Sequence, residues 1–167
     1  MTNENIKYDE DAIEELYQRN LTDACKRLAS LDVAEGREPH IKGLNGWVYE
    51  QTIHYCLYQE LRLLGLSPTV KDQVPLYGRV KIDLLVDRVA IEIKARGSFG
   101  DDDAEKYRRY RSKVEEKKWI YLYLTRCETY KPYRIATENV FNKERAFFLD
   151  TRGDWKRFIV TIKEIVE

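Results

Sequence analysis

The chain has 167 residues, 43% hydrophobic and 35% charged, with 29 basic residues balancing 29 acidic ones. That length suits one main domain with its own core, and the composition excludes wholesale disorder. No apolar run approaches the roughly 18 residues of a membrane span. The acidic start, Met1 to Glu15, lacks a signal-peptide core, so an intracellular, cytoplasmic protein is expected.

In chain order, Ile13, Leu16, Tyr17, Leu21, Ala24 and Leu28 fall at helical spacing and predict a helix over 9–31. Gly36, Pro39 and Gly43 among charges mark 32–43 as a connector. Residues 1–40 therefore read as an N-terminal helical extension and 41–167 as the main domain. A second helix is expected over 45–64, stopped by Gly65. Strands are expected at 69–75, 79–86 and 89–95, then a charged helix over 101–117. Trp119 to Thr125 is a continuous apolar and aromatic run, the pattern of a strand covered on both faces. A short helix near 137–143, a strand at 145–149 and a helix at 154–165 complete the chain. This order predicts an α/β fold, with a mixed sheet of four to five strands flanked by helices.

Charge is unevenly spread. Residues 1–38 hold ten acids and five bases, which leaves 19 acids and 24 bases for the rest. A phosphate-binding surface on the main body is permitted, not demanded. Cys25, Cys56 and Cys127 are widely spaced, and the only histidines are His40 and His54. Buried structural thiols are expected, rather than a zinc site or disulfide framework.

The segment Arg79 to Arg96 carries the most chemistry. A two-residue turn at Asp87-Arg88 would place Val80, Ile82, Leu84, Val86, Val89, Ile91, Ile93 and Ala95 on one apolar face. On the other face, Asp83 would oppose Glu92, Lys81 would oppose Lys94 and Arg79 would oppose Arg96. Directly opposed like charges destabilise a sheet. They make sense with a divalent cation between the acids and a phosphodiester near the lysines. A merely solvated sheet face is the plain alternative. In the second helix, Glu50 projects onto the apolar stripe of Ile53, Leu57, Leu61 and Leu64, with His54 at its edge. A buried acid is costly unless paired or bound to metal, although a contact with the helix dipole would also place one early in a helix.

Further on, Lys106, Arg108, Arg109, Arg111 and Lys113 interleave with Tyr107 and Tyr110. Such a helix either binds nucleic acid or packs its tyrosines on the sheet with its charges in water. Asp101, Asp102 and Asp103 read as a helix N-terminus that complements the dipole. Trp47, Trp119 and Trp155 are expected to be core or interface anchors.

The set Glu50, Asp83 and Glu92-Ile93-Lys94 resembles the PD-(D/E)xK, or restriction-endonuclease-like, nuclease superfamily. The resemblance covers about 44–125. Gly46 shortly before Glu50 fits it, and Ile82 stands where the naming proline would be. It implies an αβββαβ core in which Glu50, Asp83, Glu92 and Lys94 are catalytic. Mg²⁺, or Mn²⁺, would be held by Asp83, Glu92, Glu50 and the Ile93 carbonyl. Lys81, Gln73 and Arg96, with Arg108 and Arg111, would contact nucleic acid. The implied function is metal-dependent hydrolysis of DNA phosphodiester bonds, endonucleolytic and of restriction, repair, recombination or viral type, by a homodimer. Two other readings stay open: a non-catalytic nucleic-acid- or protein-binding module on the same fold, and an interaction protein whose Glu50 lies far from Asp83.

Overall fold

The computed structural model describes residues 5–31 and 43–167. The expected connector lies mostly outside these residues. Five helices and five strands follow in the order α1 (Glu10–Leu31), α2 (Leu44–Leu63), β1 (Val70–Tyr77), β2 (Val80–Val86), β3 (Val89–Lys94), α3 (Asp101–Glu116), β4 (Ile120–Thr125), α4 (Lys131–Phe141), β5 (Ala146–Phe148) and α5 (Asp154–Val166). The protein is α/β, with one mixed open sheet in the order β1-β2-β3-β4-β5. The first two pairings are antiparallel and the last two parallel. Among the described residues, no helix is long and apolar enough to cross a membrane.

Alternation along the strands divides the core into two layers. Leu84, Val86, Val89, Ile91, Ile93, Leu122, Leu124 and Phe147 pack against α1, α2 and α5. Leu85, Ala90, Tyr121, Tyr123, Ala146 and Phe148 pack against α3, α4 and Phe99. The centre of the sheet is thus covered on both faces, which explains why β4 reads as a continuous apolar and aromatic run. Helix α1 contributes Ile13 and Tyr17 to the first layer, both buried. Its acids reach the body as well: Glu14 pairs with Arg126 and Asp11 with Arg152.

The eight-residue apolar face expected for the hairpin is not formed. Ile82 and Val80 lie in the α3 layer, whereas Leu84 and Val86 lie in the α2 layer. Neighbouring β1 changes face too, with Val70 on the α2 side and Val74 and Leu76 on the α3 side. The switch falls at Gln73, which has a left-handed φ of 48°. One such residue resets the side-chain alternation of everything beyond it. The outer half of the hairpin then leans over α3, where Tyr77 meets Tyr110 edge-on at 5.9 Å. Pairing between β2 and β3 stops at Leu84–Ile91. The in-register oppositions Asp83–Glu92, Lys81–Lys94 and Arg79–Arg96 are therefore replaced by a fork between diverging strands.

Smaller expectations are also corrected. Helix α4 starts at Lys131 rather than near 137, because Pro132 sits in its first turn, where a missing N–H costs nothing. Trp155 is fully buried, but Trp47 is 59% exposed. Cys56 is buried, whereas Cys25 is exposed and Cys127 half-buried. Asp103 accepts a hydrogen bond from the Gly100 N–H at the start of α3, in keeping with a helix-terminus role.

The far edge of the sheet is closed by side chains. Arg157 donates to the Ala146 carbonyl at 2.6 Å, and Asp154 accepts from the Phe148 N–H at 2.8 Å. These two residues of α5, themselves an ion pair, occupy the ladder groups of β5 and blunt its edge. On the α2 side, Glu60 is fully buried. It accepts from the backbone N–H groups of Lys7 (3.0 Å) and Tyr8 (2.7 Å) and from the Trp155 indole (3.3 Å). One carboxylate thus ties the N-terminal segment and α5 to α2. Glu60→Ala would strand three donors and is expected to lower the unfolding free energy by about 3 kcal/mol in urea denaturation. An unchanged midpoint would show that water replaces the carboxylate.

Candidate active site

The fork is built around Asp83. Where the next β2–β3 ladder bond would fall, Asp83 Oδ2 instead accepts from the Ile93 N–H at 2.8 Å. A side chain has taken the place of a strand, which satisfies β3 while β2 turns away. The Lys94 carbonyl accepts from the Arg126 N–H after β4. Because adjacent peptide groups in a strand point to opposite sides, the Ile93 carbonyl faces the fork.

Glu92, the residue before Ile93 on the same strand, is buried at 6% exposure. Its Oε1 lies 2.9 Å from Lys94 Nζ and accepts from the Tyr107 hydroxyl at 3.3 Å. Its Oε2 accepts from the Tyr121 hydroxyl at 3.2 Å. Burial, followed by the Glu92 charge, raises the pKa of both phenols, so they remain protonated donors. Sequence reasoning missed Tyr107 and Tyr121 as partners of Glu92. The available signal is that a tyrosine at an apolar position must find a partner for its hydroxyl.

Glu50 enters from α2. It is half-buried, and its Oε2 accepts from Gln73 Nε2 at 3.3 Å. Desolvation and then repulsion from Glu92 raise its pKa, with Lys94 opposing them. Asp83 is perturbed further. Burial, Glu92 and Glu50 push it up to about 8, against the Ile93 hydrogen bond and Lys94. Lys94 itself is subject to desolvation, which favours the neutral amine, but Glu92 outweighs this and holds it above the ordinary lysine value. The ammonium also stands 5.8 Å from the centre of the Tyr107 ring. Glu50, Asp83, Glu92 and Lys94 therefore share one electrostatic environment, with Gln73 hydrogen-bonded at its edge.

The remaining candidates are placed differently. Arg96 is exposed on the loop after β3, and Lys81 is exposed on the splayed part of β2. Arg108 is exposed on α3. Arg111 is committed elsewhere: it donates to Glu115 at 2.9 Å and to the Val140 carbonyl at 2.6 Å, fastening α3 to α4. The loop bearing Arg96 is held by close approach. A Cβ on Gly97 would stand 2.1 Å from Glu128 Oε2 and 2.7 Å from the Cys127 carbonyl, so only glycine fits there.

The donor set suits a hard divalent cation in kind. Magnesium takes one or two carboxylates with water. Asp83 Oδ1 accepts no hydrogen bond from a described residue, and the Ile93 carbonyl faces the same gap. Mutual repulsion of the acids marks a place where positive charge is stabilising. Among the described residues, however, no three His, Cys, Asp or Glu side chains are grouped closely enough to hold a metal between them. Asp83 and Glu92 form the core of the donor set, and Glu50 faces it through electrostatics.

No protein-family model, curated protein or solved structure matches this chain. The site is therefore characterised by its own geometry.

A raised carboxyl pKa gives stability a sign. Folded Asp83 keeps its proton up to about pH 8, while in the unfolded chain it ionises near 3.8. The folded state binds the extra proton, so this contribution is complete below about pH 4 and lost as pH rises through about 8. Metal-free protein is expected to lose stability across that window more steeply than Asp83→Asn in urea titrations at stepped pH. Parallel curves for the two proteins would contradict the raised pKa.

Proposed function

We propose that this protein is a metal-dependent nuclease that hydrolyses DNA phosphodiester bonds, with a restriction-endonuclease-like core of the PD-(D/E)xK type. The observation that carries the reading is the fork. Strand divergence at Asp83 brings that half-buried carboxylate, the buried Glu92 and a lysine ammonium together, with a third carboxylate from α2 acting on them. A structural sheet gains nothing from such repulsion, whereas phosphate hydrolysis needs charge of both signs at one place.

In this reading Asp83 and Glu92, with the Ile93 carbonyl, would hold Mg²⁺ or Mn²⁺, which would supply Lewis acidity toward water and a counter-charge to the phosphate. Water oxygen bonds to phosphorus, the bond from phosphorus to one sugar oxygen breaks, and that oxygen takes up a proton. Lys94, held protonated by Glu92, donates to the phosphate and opposes its growing negative charge rather than acting as a base. Tyr107 and Tyr121 keep Glu92 in one orientation. Glu50, restrained by Gln73, accepts a proton from the attacking water or orients it.

One observation favours the alternative of a non-catalytic binding module on the same fold. Both oxygens of Glu92 already have protein partners, as in a structural ion pair. Activity separates the readings. Plasmid, linear duplex, single-stranded and four-way-junction DNA are offered with Mg²⁺ or Mn²⁺, and with EDTA. The nuclease reading predicts metal-dependent cutting that falls to background in Asp83→Ala and by about 100-fold in Lys94→Ala. A folded, metal-supplied protein that cuts none of these substrates would favour the binding module. Cutting that survives Asp83→Ala would place the chemistry elsewhere.

A further inference from the structure

Next to the fork, the end of β3 opens into a cavity of about 600 Å³. Gln18 of α1, Asn45 and Gly46 of α2, Lys94 and Arg96 at the end of β3, and Arg126 after β4 line it. Lys94 belongs to both spaces, so the cavity continues the fork rather than standing apart from it.

Its charged lining residues are all basic, beside Tyr17, Leu21 and Ala95. Among the described residues, Arg96 makes no ion pair and is exposed, so its charge is uncommitted. Arg126 is already neutralised by a two-pronged contact with Glu14, at 2.7 and 2.5 Å. It shapes the wall more than it charges it. The opposite wall is the first turn of α2. Trp47 is the first residue of that turn whose N–H closes a helical bond, to the Gly43 carbonyl. Among the described residues, the N–H groups of Asn45 and Gly46 therefore have no intrahelical partner. Gly46 has no side chain, and a Cβ there would meet no described atom within 4 Å, so nothing in the described residues covers that side of the helix turn. The Arg96 guanidinium, the Lys94 ammonium with Glu92 as its ion-pair partner, and helix N–H groups without an intrahelical partner among the described residues together suit an anion with several acceptor oxygens.

We propose that this cavity binds a phosphate group, the neighbour on the same nucleic-acid strand of the phosphate held at the fork. The strand assignment rests on the nuclease reading, while anion binding does not. Asn45 adds a neutral amide on α2, the Gln18 amide on α1 donates to Glu14, and α1 bounds the space, so this side of the fork receives one backbone rather than a broad duplex surface.

The test is binding in EDTA, where no cutting occurs. A short fluorescein-labelled DNA strand is titrated by anisotropy at several salt concentrations into wild type, Gly46→Glu, Gly46→Ala and Arg96→Ala. Gly46→Glu places a carboxylate in open space, and its melting temperature reports that the fold is intact. The expected result is binding weakened about tenfold or more in Gly46→Glu and retained in Gly46→Ala, with a salt slope smaller by about 1 in Arg96→Ala. Inorganic phosphate, titrated by NMR, should shift the Asn45 and Gly46 amides. Equal binding by wild type and both charge variants would overturn the proposal. So would phosphate shifts at those amides without any effect of Gly46→Glu on the DNA strand, since the cavity would then hold a free anion only. Loss of strand binding in Gly46→Glu, in a protein that never cuts DNA, would leave the phosphate cavity standing and remove the nuclease reading. Cutting by wild type that Gly46→Glu leaves unchanged would do the reverse.

Discussion

One hydrogen bond organises this molecule: the Ile93 N–H donates to the Asp83 carboxylate where a strand carbonyl would ordinarily stand. A β3 group buried in the middle of the sheet must be satisfied, and a side chain does it. That frees β2 from its neighbour, lets the outer hairpin lean over α3, and opens the fork. It also draws an acid into the sheet, next to Glu92 and within reach of Glu50. Without the divergence, Asp83 and Glu92 would be cross-strand neighbours on a paired sheet. With it, they border a gap.

The surroundings determine the strength of the effect. Strands β3 and β4 are covered on both faces, so water around Glu92 is scarce and each charge acts at low effective dielectric. Tyr107 and Tyr121 meet Glu92 from α3 and β4, and Lys94 supplies a close cation. The balance is incomplete: three acids act on one lysine, and Asp83 stays raised to about 8. The proposed cation supplies the missing charge, and in its absence a proton does. The same architecture explains why the cationic cavity lies at the end of β3. Parallel strands β3 and β4 finish there, and the helices that cover them leave a crevice at their carboxyl ends.

Much of this was legible in the sequence. The apolar stripe of α2 and the position of Glu50 on it follow from a period of 3.6 residues. The Asp87-Arg88 turn follows from two runs of alternating or continuous apolar residues, and Asp87 adopts the left-handed φ of 52° that such a turn uses. Other features left no local signal. The face switch depends on Gln73 at φ 48°, a conformation usually announced by glycine or asparagine, and nothing in the adjacent residues marks glutamine for it. Alternation alone therefore placed Ile82 on the wrong side. Glu60 belongs to no motif in the sequence, and the return of the N-terminal segment and Trp155 is what makes its burial sensible. Arg111 sits in a basic run that suggests phosphate, yet the carbonyl it serves is in α4, across a tertiary contact.

Direct observation of a cation at the fork tests this electrostatic reasoning most closely. Crystals of the metal-free protein would be soaked with Mn²⁺ and diffraction recorded at the manganese edge. A cation site predicts an anomalous peak between the carboxylates of Asp83 and Glu92, near the Ile93 carbonyl, and its disappearance in Asp83→Asn. A saturating soak with no peak there, or an occupied site that survives Asp83→Asn, would contradict it and leave the fork as a buried proton-sharing cluster.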